Sequence, residues 1–255
     1  MANSINTNAG ALIALQNLNA TSKALATTQN RVNTGQAVSS AKDNGAIFAI
    51  ATNQRAEMGA LNAVKQSLQR GQSVVDVALA AGDTVIAALT EMKSLAVAIE
   101  AGGSTATTTA LQADYDALQV EIDSALAGAN FDGENLWTGS AAVITDTAAT
   151  SFTIGMGTPS DGTPATATAA GVQTAIEAVT ADLATLGTQS KSLERMVSFT
   201  SKMEDALEVG IGNLVDADLA KESARLTALQ TKQQLGVQAL SIANSSSSVL
   251  LGLFR

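Results

Sequence analysis

Asp216 and Asp218 stand two apart ahead of an apolar stretch, and such a carboxylate pair could share a proton or hold a cation. Two apart on a helix, however, they point to different faces. Just before a helix they serve better as a cap on its free N–H groups and as a counter to its dipole. Gly155-Met156-Gly157 has glycines of the kind that cradle phosphates, but it lacks the strand–turn–helix setting and the rest of the fingerprint, so it reads as hairpin glycine. No serine can pair with a histidine, because the chain has no His, and with no Cys it has neither thiolate chemistry nor disulfides. These residues predict no catalytic, cofactor-binding or metal site. They point away from an enzyme and toward a protein that works through its surfaces.

Apolar residues make up 46 % of the 255 positions but aromatics only 3 %, and Ala supplies much of the difference. Small side chains let helices approach closely. Charge is uneven: residues 1–42 carry a net of +3, residues 214–255 a net of +1, and residues 43–213 a net of −13. An acidic body repels nucleic acid and anionic headgroups, so neither is an expected partner. The nearly neutral ends can crowd against copies of themselves. The opening residues have no basic segment followed by an apolar run, and no run approaches the ~18 apolar residues of a membrane span. No membrane insertion is expected, and the chain either stays in the cytoplasm or leaves by a route that needs no cleaved signal.

Helices explain most of the pattern. Ala11, Leu15, Leu18, Ser22, Leu25, Gln29 and Val32 repeat at 3.5-residue spacing, and Ala224, Ala228, Leu235, Ala239, Ile242, Val249 and Leu253 do so near the other end. Leu219, Leu226, Leu229 and Leu240 add further apolar faces there, so burial must come from more than one direction. The free ends are therefore expected to be largely disordered until neighbours cover them. Steps of three and four run from Leu61 to Ile99, again from Leu111 to Ala125, and again from Val172 to Ile211. Gly71 and Gly82 fall within the first of these seams, which predicts a close backbone beside them. Asn33-Thr34-Gly35 should end the first helix, and Ser40-Ala41-Lys42-Asp43 has the form of a capping box for the next. Residues 101–109 read as a flexible connection, 130–136 as a turn, and 138–166 as a small β-hairpin with Phe152, Ile154 and Met156 alternating.

The residues at the breaks carry a family resemblance. Ile5-Asn6-Thr7-Asn8, Leu15-Gln16-Asn17-Leu18, Asn30-Arg31-Val32-Asn33-Thr34-Gly35 and Ser39-Ser40-Ala41-Lys42-Asp43 resemble successive segments of bacterial flagellin. Asn130-Phe131-Asp132-Gly133 resembles that family's F-N-G turn, Asp216-Ala217-Asp218-Leu219-Ala220 its D-A-D-x-A, and Val249-Leu250-Leu251-Gly252-Leu253 its closing segment. The match covers about 1–140 and 170–255 and keeps the family's order.

The resemblance implies a mainly α fold: an elongated antiparallel helical rod or coiled-coil bundle with its N- and C-terminal helices paired, plus a small β-hairpin region. It implies five segments: 1–42 and 214–255 as halves of an inner-tube domain, 43–137 and 171–213 as a helical rod domain, and 138–170 as a short variable region in place of large outer domains. The implied function is a structural subunit that polymerises into the extracellular flagellar filament for motility. The implied partners are copies of itself or similar flagellins, an export chaperone, the type III export apparatus, and the filament cap and hook-junction proteins. Leu15, Leu18, Leu25, Val32, Leu235, Ile242 and Val249 are the expected assembly contacts, and Arg31, Asn33, Gly35 and Asp43 the expected inner/outer joint. Flagellins recognised by the host Toll-like receptor resemble L-Q-R-V-R-E-L-A-V-Q where this chain has Leu89-Thr90-Glu91-Met92-Lys93-Ser94-Leu95-Ala96-Val97-Ala98. Glu91 reverses the charge of an arginine position while Leu89, Met92 and Leu95 keep the packing residues, which implies weakened receptor activation. A hook-associated junction protein shares such ends, and a secreted helical effector or adhesin would share the composition; failure to form long filaments would mark either.

Overall fold

Little in this sequence interrupts a helix, since both prolines, Pro159 and Pro164, fall in one irregular segment. The computed structural model describes residues 8–253, with side chains described as far as Ser245. The elements are α1 (Ala9–Thr34), α2 (Gly45–Glu100), α3 (Thr105–Gly128), β1 (Ala141–Ile144), β2 (Ser151–Ile154), α4 (Ala169–Val215) and α5 (Leu219–Leu253). The fold is mainly α, with long antiparallel helices and a small two-stranded antiparallel sheet. It divides into two compact units: Ala56–Ala206, and Met1–Arg55 together with Leu207–Arg255.

The unit Ala56–Ala206 is built on the seam of α2. Leu61, Val64, Leu68, Val75, Ala78, Val85, Leu89, Met92 and Ala96 are all buried, as three-and-four spacing requires of a helix covered along one face. α4 runs back along it. Lys65 Nζ lies 3.2 Å from Glu204 Oε2, Lys93 Nζ donates to Gln173 Oε1 at 2.6 Å, and Ala169 N donates to Glu100 Oε1 at 3.0 Å. The numbers rise on one helix as they fall on the other, which is antiparallel pairing. Val172, Val179, Leu186 and Leu193 from α4 and Tyr115, Ile122 and Leu126 from α3 complete the core.

Gly71 and Gly82 are buried in that seam, but side chains rather than a backbone come close to them. Val143 of β1 lies over Gly71, and Leu183 of α4 and Trp137 lie over Gly82, so a Cβ at either glycine would overlap them. The Trp137 ring is buried, and its Nε1 donates to the Ala78 carbonyl at 3.0 Å, which satisfies the only polar atom of the ring.

The hairpin lies where alternation predicts it, with Ala141 opposite Ile154 and Val143 opposite Phe152. Ala141, Val143 and Ile154 face the core, while Met156 lies beyond β2 and packs there from a loop. Gln189 of α4 pins the hairpin by accepting from Gly155 N at 3.0 Å and donating to Gly155 O at 2.7 Å. The turn before it has Asp132 at φ 54° and Gly133 at φ 87°, the positive pair that a type I′ turn needs.

Three expectations change. Only the start of 101–109 is a link, because Ser104 Oγ accepts from Thr107 N and opens α3 at Thr105. The Thr108 and Thr109 hydroxyls donate to carbonyls of the turn behind them, so these threonines are helical. α1 and α5 are paired helices in the single chain rather than disordered ends; at 26 and 35 residues both exceed the ~12–15 at which isolated helices become marginal. By length and composition alone α2 is also long and apolar enough to cross a bilayer. The seam of α2 from Val64 to Ala96 is instead buried in the core shared with α3, α4 and the hairpin, while Val97 beside it is 53 % exposed.

Candidate assembly interface

The second unit holds the two terminal helices, and each has the cap its sequence calls for. Asn8 Oδ1 accepts from Ala11 N at 3.0 Å at the start of α1, and Gly35 ends it at φ 71°, a conformation that favours glycine. Asp218 Oδ1 accepts from Lys221 N at 3.1 Å at the start of α5, so this aspartate acts as the cap. α5 returns antiparallel along α1. Arg31 Nη1 pairs with Glu222 Oε1 at 3.2 Å, Gln233 Nε2 reaches Ser22 Oγ at 3.5 Å, and Asn8 Nδ2 donates to Ala243 O at 2.8 Å.

The helices are joined at one end by backbone. Gln36 and Asp216 form a β-bridge, Ala37 N donates to Val215 O at 2.7 Å, and Ala217 N donates to Gly35 O at 2.8 Å. Val38, Ala51, Ile211 and Val215 make a small core beside this bridge. Asp43 shapes the segment that follows, though not as a helix cap: α2 begins at Gly45, where Asn44 Oδ1 accepts from Ala46 N and Ile47 N. Asp43 Oδ2 reaches back instead and accepts the N–H and the hydroxyl of both Ser39 and Ser40. Those bonds, the Ser40 hydroxyl foremost, hold its carboxyl below the usual range. Of the four joint residues, Arg31, Gly35 and Asp43 thus make structural contacts here, while Asn33 is exposed.

The expected assembly residues divide between two faces. Leu18, Leu25 and Val32 are half-buried on the side of α1 that meets α5. Leu15, Leu235 and Ile242 point outward, 44 %, 58 % and 68 % exposed. The side chain of Val249 lies outside the described residues, as does the Ile5-Asn6-Thr7 segment. The α5 stripe of Ala224, Ala228, Leu235, Ala239 and Ile242 is exposed throughout, because Leu226, Leu229, Gly236 and Leu240 occupy the α1 side. Leu12, Ile13 and Val237, which the heptad spacing omits, are exposed as well. The unbroken apolar run Ala11-Leu12-Ile13-Ala14-Leu15 is the sequence signal for the first two. Glu222, buried beside Arg31, had a fainter signal as the first acidic residue after Asp218. In the other unit, Leu89 and Met92 are fully buried, Leu95 is half-buried, and Glu91 is exposed.

Paired helices that leave apolar stripes uncovered suit a protein that is completed by its neighbours. The description "bacterial flagellin N-terminal helical region" matches residues 5–142, and "bacterial flagellin C-terminal helical region" matches residues 169–254. The chain belongs to the flagellin family. It is 52 % identical over 99 % of both chains to flagellin FljK of Caulobacter vibrioides, and 40 % identical to flagellin FljJ of the same organism over its whole length and 99 % of that relative. A flagellin of Brucella melitensis is 38 % identical over 99 % of both chains. This flagellin is accordingly a structural subunit of the extracellular filament that drives motility, and it polymerises. The two family matches leave 143–168 between them, the segment that holds most of the hairpin.

Proposed function

We propose that this flagellin joins its filament through the outward apolar faces of α1 and α5, with Leu15, Leu235, Ile242 and Val249 in contact with neighbouring subunits and Leu18, Leu25 and Val32 holding the helix pair together. Residues 1–42 and 214–255 are then the two halves of an inner-tube domain, with Arg31, Asn33, Gly35 and Asp43 at its joint to the rod domain of 43–137 and 171–213; 138–170 is the variable region. The observation that carries this is the exposed stripe on α5, opposite the face that meets α1. Full burial of one Leu or Ile stabilises by about 1.5–3 kcal/mol, so a few such residues per contact favour assembly strongly. The low net charge of both ends lets copies approach. The role is structural, not catalytic.

The same reading includes export in an unfolded state through the type III apparatus, with a chaperone, and contacts with the cap and hook-junction proteins; the family match at both ends supports it. Caulobacter vibrioides has several flagellins about half identical to this one, which favours mixed filaments. Removal of residues 1–33 or 220–255 should leave a soluble helical protein that does not elongate filament seeds under negative-stain microscopy. Filaments from either truncation would overturn the reading. Because Glu91 is exposed beside the buried Leu89 and Met92, its reversed charge should weaken Toll-like receptor signalling without disturbing the fold. A reporter-cell assay on purified monomer checks this, and strong signalling would contradict it.

A further inference from the structure

Residues 94–190 contain eleven Asp or Glu and no Lys or Arg. Four of these acids stand on the outer face of α3, Asp114 and Glu121 along one edge and Asp116 and Asp123 along the other. Between them lie Ala113, Ala117 and Val120, all exposed, Val120 to 64 %. Asp116 accepts from Gln112 Nε2 at 2.9 Å, but among the described residues none of the four acids has an ion-pair partner. α4 presents a largely reversed pattern. Lys191, Arg195 and Lys202 lie together on one face beside Phe199, which is also 64 % exposed, with Glu194 and Asp205 along the edge away from it. None of these three cations is paired among the described residues either.

An apolar centre flanked by carboxylates on one helix matches an apolar residue bordered by three cations on another, in a chain whose net charge of −9 would otherwise make copies repel. We propose that the Phe199 face of α4 in one copy docks on the Val120 face of α3 in the next. The two surfaces differ, so the contact is heterologous and repeats without pairing off into a closed dimer, as a growing filament requires. This rests on the reading that the terminal helices join subunits, and it adds a second contact outside them. Exposed pairs are individually weak and screened by salt, so the contact acts through the summed match of both faces and should set the ionic-strength dependence of growth.

Charge reversal on full-length chains tests it. One variant carries K191E, R195E and K202E, the other D114K, D116K, E121K and D123K, and circular dichroism confirms that each keeps its helix content. At low salt the critical concentration for seeded growth should rise roughly tenfold for either variant alone. It should return close to wild type in an equimolar mixture and in the chain carrying all seven changes. Either variant growing at the wild-type critical concentration, or a mixture no better than its components, would overturn the contact even if the terminal truncations fail to grow. Growth of a truncation would overturn the terminal-helix reading alone, and rescue by mixing would still support this contact.

Discussion

Replacing Trp137 by alanine is expected to destabilise the Ala56–Ala206 unit by about 3–5 kcal/mol, the range for removing a large buried aromatic. The ring is buried over Gly82 beside Leu183, and glycine at 82 cannot grow to fill the space it leaves. The Ala78 carbonyl also loses its indole donor. Trp137→Phe should cost less, about 1–2 kcal/mol, since it keeps most of the packing and loses chiefly the hydrogen bond. Denaturant unfolding followed by far-ultraviolet circular dichroism measures both. An alanine variant with an unchanged midpoint would mean the ring is not a structural keystone.

The second large effect concerns Arg31 and Glu222. Their bond is a single contact at 3.2 Å, and Arg31 Nε and Glu222 Oε2 are buried with no hydrogen-bond partner among the described residues. A pair held by one bond with atoms left over is costly to break and cheap to replace. Arg31→Ala leaves a covered carboxylate with no cation and should destabilise the α1/α5 pair by about 2–3 kcal/mol, below the full range for a buried pair because Arg31 is partly solvated. The double change Arg31→Met with Glu222→Leu should recover most of that loss, since apolar residues of similar size carry no desolvation cost. Thermal loss of helix signal across the double-mutant cycle measures it. If the single and double variants were equally unstable, packing and not charge would be the cause.

The helices were legible because their signal is local. Leu61 to Ile99 repeats at three and four over many turns, and its buried face followed from spacing alone. What stayed hidden depends on partners distant in sequence. Spacing placed Gly71 and Gly82 in a seam, but that Val143, Leu183 and Trp137 would fill the gaps is a fact of tertiary packing. Likewise the motif 40–43 has the letters of a capping box, yet Asn44 offered its side chain to the first free N–H groups, and Asp43 turned back to the serines. On α5 the heptad marked a true stripe without saying which way it faces. Only the position of α1 settles that Leu226 and Leu229 point inward and Leu235 and Ile242 outward.

One placement has an optical consequence. The chain's only tryptophan and only tyrosine, Trp137 and Tyr115, are both buried inside the Ala56–Ala206 unit, and the terminal helix pair contains neither. Tryptophan fluorescence and the tryptophan and tyrosine bands of near-ultraviolet dichroism therefore report whether that unit is folded and are silent about the ends. Light scattering follows the joining of subunits. Recorded together on one sample, the two signals separate in time the folding of a newly arrived chain from its incorporation into the growing filament.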